Sequence, residues 1–406
     1  MNAELIIDAG NAQARAALPE PRADAAQGLS FAPPRRVLLV AALTMLPYRV
    51  MRCAAATGAE VFVLGAARAR GLAQSRACRR FEETPVPIDG QGGEDLLDAI
   101  NRSVAALGVG CVLPGDAPST RSLIALRERI SAPVFPGPDL ATFDLLNDKA
   151  RFQALCAAAG VRTPETRTFG TRAGLEAALV SGELPEKAIA KPLSLDGSEG
   201  CVVLDRETWR GRIDRIDYAP ILVQRFVEGE DIGASVFCRR GAVTAFVAHR
   251  YHRAVYQTFD APGVRADIER LLGPLGVDGV FNFDMRLDRE GGVHFLECNP
   301  RLFFKVAMSM LAGVNFVALG FGAPRDGPVA APACTVRFPK ALAHALMTPW
   351  RIERESLRAL AFTLADPVPW LREEAGFATT PGPDAGGLAP VRRPFARLAP
   401  ISRAGR

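Results

Sequence analysis

Hydrophobic and polar positions alternate with two different rhythms along the chain. Residues 36 to 43 (Arg-Val-Leu-Leu-Val-Ala-Ala-Leu) form a short apolar run of the kind that fills a buried parallel strand. A helical stretch from Tyr48 to Thr57 follows, then Gly58 and a second strand at Glu60 to Leu64. The unit repeats as a helix from Glu94 to Leu107, strand Val109 to Leu113, helix Ser119 to Ile130 and a short strand near Pro133 to Phe135. Strands alternating with helices predict a doubly wound parallel sheet with a ligand cleft at its strand ends. The first turn lacks GxGxxG, so a dinucleotide fingerprint is missing and an oxidoreductase reading loses its support.

Past Gly137-Pro138 the pattern predicts one long helix, from about Leu140 to Ala159, stopped by Gly160. Thereafter strands dominate: Lys187 to Lys191, Cys201 to Leu204, Ile221 to Val227, Ile232 to Arg239, Val243 to Arg250, Gly279 to Leu287 and Val293 to Cys298. Helices are expected at Arg206 to Arg215, Val264 to Leu275 and Phe303 to Leu319. Tight turns at Arg240-Gly241 and Asp288 to Gly292 make the neighbouring strands antiparallel. The chain thus reads as α/β plus α+β. Its parts are a mobile leader at 1–34, a parallel αβ domain at 35–138, an α+β domain at 139–325, and an extension at 326–406 with a disordered basic end.

Composition narrows the class. A hydrophobic share of 49% and a charged share of 23% are ordinary for a globular protein. No run of 18 or more apolar residues suggests a membrane span, and the leader lacks the order of a secretory signal; a cytoplasmic location is the default. Eight cysteines without a CxxC pair read as buried free thiols rather than a zinc site or disulfides. The net charge of +5 resides in the tail, where Arg392, Arg393, Arg397, Arg403 and Arg406 stand without an acid. No nucleic-acid or membrane partner is therefore expected. Homo-oligomerisation is left open.

Candidate chemistry lies in Asn282-Phe283-Asp284-Met285-Arg286 and Glu297-Cys298-Asn299-Pro300-Arg301. Side chains at i and i+2 of a strand share a face, so a hairpin would bring Asp284, Glu297 and Asn299 together. Two carboxylates and an amide oxygen form a hard ligand set suited to magnesium; the plain alternative is a solvated face carrying a salt bridge to Arg286 or Arg301. Upstream, Lys149 follows Asn147-Asp148. Lys191 ends an apolar strand before a small-residue turn with Ser194, Gly197 and Ser198, a place where ammonium and backbone N–H groups can hold phosphate. The run Gln224-Arg225-Phe226-Val227 turns into the acidic bend Glu228-Gly229-Glu230-Asp231.

The order Asn-Asp-Lys, Lys-Pro with a small-residue loop, Gln-x-Phe-x-x-Gly-Glu-Asp, Asp, then Glu-x-Asn-Pro-Arg resembles the ATP-grasp superfamily over residues 36 to 320. The resemblance implies a parallel αβ domain followed by a two-lobed ATP-grasp domain, with a nucleotide held between the lobes. Lys149 and Lys191 would contact phosphates, and Gln224, Arg225, Phe226 and Val227 would line the adenine slot. Asp231 or Glu230 would take ribose. Asp284, Glu297 and Asn299 would hold Mg2+, which Mn2+ could replace. Arg301 would stabilise transferring charge, with Arg286 as a second catalytic arginine. The implied activity is an ADP-forming carboxylate–amine ligase acting on small molecules. The alternatives are carboxylation, formyl-type transfer or a non-catalytic nucleotide-binding protein. Where the biotin-dependent carboxylases carry a glutamate base, this chain has Lys305, which disfavours carboxylation; Lys305 would bind a substrate carboxylate or merely face solvent. The segment His249-Arg250-Tyr251-His252-Arg253 is a candidate acceptor-binding patch, with a solvated basic loop as the plain alternative.

Overall fold

The structure, a computed structural model, describes residues 33–193, 200–252, 255–322, 329–337 and 352–369, with 347 and 350 singly. Two compact units emerge: Thr166–Phe226 forms one, and the described residues of Met1–Glu165 and Val227–Phe377 form the other. The leader and the basic tail lie outside the described residues.

In the larger unit, β1 (Arg36–Ala41), β2 (Glu60–Gly65), β3 (Cys78–Glu83) and β4 (Cys111–Pro114) make a parallel sheet in the order β3-β2-β1-β4. Successive residues of β1 feed opposite layers. Val37, Leu39 and Ala41 pack with Tyr48 and Met51 of the helix Met45–Ala55, while Leu38 and Val40 pack with Leu96, Ile100 and Leu123. Burial on both faces explains the continuous apolar run. The polar strand Cys78-Arg-Arg-Phe-Glu-Glu escaped the sequence reading because it is an edge with little buried area. Conversely, the strand expected near Pro133 is reduced to a single bridge, Val112 to Val134.

The chain reverses its winding between β1 and β4, where a ligand cleft is expected. Asp116 fills that place. Its carboxylate accepts from Ala42 N at 2.8 Å, Leu43 N at 2.9 Å and Ser119 N at 3.0 Å, capping the helix Ala117–Leu126. The amide groups that would receive an anionic ligand are therefore already satisfied.

The smaller unit is an antiparallel sheet of β5 (Thr166–Phe169), β6 (Lys187–Pro192), β7 (Val202–Asp205) and β8 (Ile221–Arg225), ordered β5-β8-β6-β7. The helix Arg172–Val180 lends Leu175 to a core with Ala188, Ala190, Leu204 and Val223. The helix expected over Arg206 to Arg215 is replaced by two short turns, Trp209–Gly211 and Ile213–Arg215.

The second sheet of the larger unit holds β9 (Gly229–Arg239), β10 (Ala242–His252), β11 (Val255–Phe259), β12 (Gly279–Asp288), β13 (Val293–Asn299), β14 (Val329–Ala330) and β15 (Thr335–Arg337). Its order is β13-β12-β9-β10-β11-β15, with β14 beside β10. One face is covered by the helices Lys149–Ala158 and Pro262–Leu272, through Phe152, Cys156, Ile268 and Leu271. On the other face Phe237, Val247 and Val280 join Phe303, Val306 and Phe316.

Two long helices of the sequence reading are broken. The first splits into Leu140–Asn147 and Lys149–Ala158 because Asp148 is extended and its side chain accepts from Ala150 N and Arg151 N, both at 2.9 Å. The second becomes Val306–Leu311 and Phe316–Gly320, separated by Gly313 at φ +106° and restarted by the Asn315 cap. The helix Arg354–Leu364 leads to Asp366, which is buried against Arg52 at 3.5 Å and accepts from Ser75 and Arg76 N.

Candidate active site

The β12–β13 hairpin sets the geometry. Directly opposed pairs are Asn282 with Asn299, Phe283 with Cys298 and Asp284 with Glu297; an irregularity then shifts the register so that Met285 faces Phe295. Leu296 is the extra residue. The bulge leaves carbonyls off the ladder, and Gln153 Nε2 donates to Phe295 O at 3.1 Å and to Leu296 O at 2.9 Å. Lys149 lies one turn earlier on the same helix face, and its Nζ pairs with Glu297 at 3.3 Å. Helix start, bulge and carboxylate are thus one packed arrangement. The sequence reading overlooked Gln153, although its i+4 spacing from Lys149 was the available signal.

Around Asp284 the polar groups interlock. Asn282 Nδ2 donates to one carboxylate oxygen at 3.5 Å, and Asn299 Nδ2 donates to the other at 3.3 Å. Ser235, unforeseen from sequence, donates to Asn282 Oδ1 at 2.9 Å, and Arg301 donates to Asn299 Oδ1 at 2.9 Å. Burial, then the neighbouring Glu297 carboxylate, pushes Asp284 up to about 6; the Lys305 charge and the Asn282 hydrogen bond act the other way.

Arg286 is engaged elsewhere. Its guanidinium donates to Asp231 at 2.7 Å, Val227 O at 3.0 Å and Gly229 O at 2.8 Å, fixing the entry of β9. Gly229 has φ +143°, and a Cβ there would collide with Leu287 O. Glu230 pairs with Arg250 at 3.2 Å. In the smaller unit Lys191 Nζ donates to Gln224 Oε1 at 2.9 Å, and Gln224 Nε2 donates to Thr166 Oγ1 at 3.2 Å. Gln224 is fully buried, so its side chain serves Lys191. Lys187 Nζ lies 3.9 Å from the Phe226 ring centroid, and Arg225 is exposed. Ser194, Gly197, Ser198 and Arg253 lie outside the described residues.

Residues 217–340 match the family described as "ATP-grasp in the biosynthetic pathway with Ter operon". Over this segment the chain matches an ATP-grasp family. No curated protein matches it by sequence. Among solved structures it is similar to L-amino acid ligase from Bacillus licheniformis, at 17% identity and TM-score 0.55, over 73% of this chain and 75% of that one. It is similar to N5-carboxyaminoimidazole ribonucleotide synthetase in its ADP complex, at 15% identity and TM-score 0.59, over 80% and 87%. A third likeness is to the biotin carboxylase domain of Hydrogenobacter thermophilus 2-oxoglutarate carboxylase, at 18% identity and TM-score 0.55, over 73% and 71%. At these identities the likeness is one of fold.

The β12–β13 hairpin offers two carboxylates and an amide. Among the described residues no group of three or more His, Cys, Asp and Glu side chains could hold a metal ion. The Asp284–Glu297 pair nevertheless suits a hard dication, since each carboxylate raises the cost of charging the other and a cation removes that cost. Asn299 faces Arg301 with its oxygen and Asp284 with its nitrogen, so its amide must rotate before the oxygen could join the ligand set. No described helix is long and apolar enough to cross a membrane.

Proposed function

We propose that the protein is an ATP- and magnesium-dependent ligase that joins a small-molecule carboxylate to an amine, releasing ADP and phosphate. The observation that carries this reading is the opposition of Asp284 and Glu297 across the hairpin, with Lys149 on Glu297 and Arg301 on Asn299.

A carboxylate resists amines because its leaving group would be oxide. Transfer of the γ-phosphoryl group to a carboxylate oxygen breaks the β,γ-bridging bond and leaves ADP. Amine attack on the acyl carbon then expels inorganic phosphate, and the nitrogen loses a proton. Asp284 and Glu297, with Asn299 once its amide turns, would hold the magnesium, which supplies charge neutralisation between carboxylate and triphosphate. Arg301 is buried and donates to Asn299 Oδ1, so the same turn of the amide that would bring this oxygen to the metal would let the guanidinium meet developing phosphoryl charge. Lys149 keeps Glu297 in place and, with Lys191, is the cation assigned to the phosphates. Asp231 or Glu230 is assigned to ribose. Carboxylation is the second reading, and Lys305 weighs against it because an ammonium cannot serve as the base toward bicarbonate.

The test is a screen of carboxylate and amine pairs for release of ADP and phosphate. Active pairs should yield both, and Lys191→Ala should weaken binding of magnesium–ATP in calorimetry. Release of AMP and pyrophosphate by an active pair would rule out the acyl phosphate.

A further inference from the structure

A row of directly opposed residues crosses the large sheet: Glu297 on β13, Asp284 on β12, Gly233 on β9 and His249 on β10. Opposed residues share a face, so His249 lies on the face of the carboxylate pair with only a glycine between. That glycine is required. A Cβ on Gly233 would stand 2.7 Å from His249 Nε2 and 2.8 Å from Cε1. The imidazole is fully buried and stacks on Tyr256 with ring centroids 4.9 Å apart, and the Tyr256 hydroxyl is tied to Ser309 at 2.9 Å. The ring is therefore fixed from both sides.

Neither ring nitrogen has a hydrogen-bond partner. A buried polar group left unsatisfied is costly, and such a group calls for an explanation. Burial, then the Lys305 charge, pushes the imidazole down to about 3, so the ring is neutral at physiological pH. The Val247 backbone acts the other way. A neutral imidazole keeps one ring nitrogen as a lone-pair acceptor, and Nε2 is the one over Gly233.

Lys305 is the cation whose field reaches both His249 and Asp284. It is half-buried, and its Nζ stands 5.9 Å from the ring of Tyr251, two residues along β10 from His249. Among the described residues its ammonium makes no ion pair. A neutral acceptor and a lysine ammonium thus lie near one another, beside the carboxylate pair.

We propose that His249 is a positioning residue for Lys305, its Nε2 lone pair accepting from the ammonium and holding it where the carboxylate substrate binds. What Lys305 binds rests on the ligase reading; the pairing of the two residues does not. A hydrogen bond from a cation is the stronger kind, and it requires the neutral ring that this environment enforces.

The chain has four histidines, so nitrogen-15 spectra of histidine-labelled full-length protein can follow each ring. Lys305→Met, which leaves His249 in place, should move the Nε2 resonance of His249 and leave the other three unchanged. An unmoved resonance overturns the proposal. With an active substrate pair, His249→Phe should raise KM for the carboxylate roughly ten- to a hundredfold, the worth of a hydrogen bond to a charged group. Its effect on kcat should be smaller. His249→Gln, which retains an acceptor, should recover most of the loss, and the double variant should be no worse than Lys305→Met alone. Additive losses would show that His249 does not act through Lys305. A resonance shift without turnover on any pair would support the pairing and remove the ligase reading.

Discussion

Replacing Asp284 with Asn should stabilise the metal-free protein while abolishing its activity. Asp284 is half-buried opposite Glu297, and its carboxyl is raised from 3.8 to about 6. That difference corresponds to roughly 3 kcal/mol of penalty on the charged form, and remaining solvent contact reduces it to about 2 kcal/mol. The folded-state value lies above the unfolded one. The carboxyl's stabilising contribution is therefore full below pH 3.8 and is lost as pH rises through about 6. Asn carries no charge at any pH, and its single amide oxygen can keep one of the two hydrogen bonds from Asn282 and Asn299. Melting temperatures of the two proteins should be close at pH 4 and separate above pH 7, with the variant higher by roughly 5 °C. Millimolar magnesium should close the gap by raising only the wild type. A variant that melts lower at every pH, or a gap that magnesium leaves unchanged, would show that Asp284 is a structural hydrogen-bond acceptor and not half of a cation site.

Glu297→Gln should move stability the opposite way, although activity should fall as far. It relieves Asp284 but leaves the buried Lys149 ammonium without its carboxylate at 3.3 Å, and breaking a buried pair costs about 3–5 kcal/mol, more than the relief; thermal melts of the two single variants side by side decide it. Asp366→Ala should destabilise by a similar amount, since Arg52, Ser75 and Arg76 N all converge on that buried carboxylate, whereas Glu60→Ala at the exposed Arg36 pair should cost under about 1 kcal/mol; urea titrations of both check the contrast.

The opposite signs expected at Asp284 and Glu297 show where the sequence was legible and where it was not. Strand periodicity alone places Glu297 and Asn299 on one face and the turn at Asp288 to Gly292 makes the hairpin, although it is the bulge at Leu296 that sets Glu297 opposite Asp284. Local rules reach that far because strand pairing here is set by near neighbours in the chain. What they miss arrives from a distance. Lys149 stands 148 positions before Glu297, and only the packed helix brings them together. The same holds for Gln153 on the bulge, 143 positions from Leu296, and for Asp366 on Arg52, 314 positions apart.

Polar edges were illegible for a different reason. β3 buries little and carries Arg80 and Glu82 outward, so no hydrophobic rhythm marks it. The helix breaks at Asp148 and Gly313 were misread because apolar residues continue on both sides; a cap and a positive φ decided, not the pattern. His249 is the instructive case. Its residue type was visible, and its neighbourhood suggested an acceptor patch. Yet its burial, its neutrality and its need for Gly233 follow only from a four-strand row whose members are assembled from positions 233, 249, 284 and 297. A site made by register across non-consecutive strands is written in the pairing order. On this sheet that order places a neutral imidazole and two carboxylates on one face.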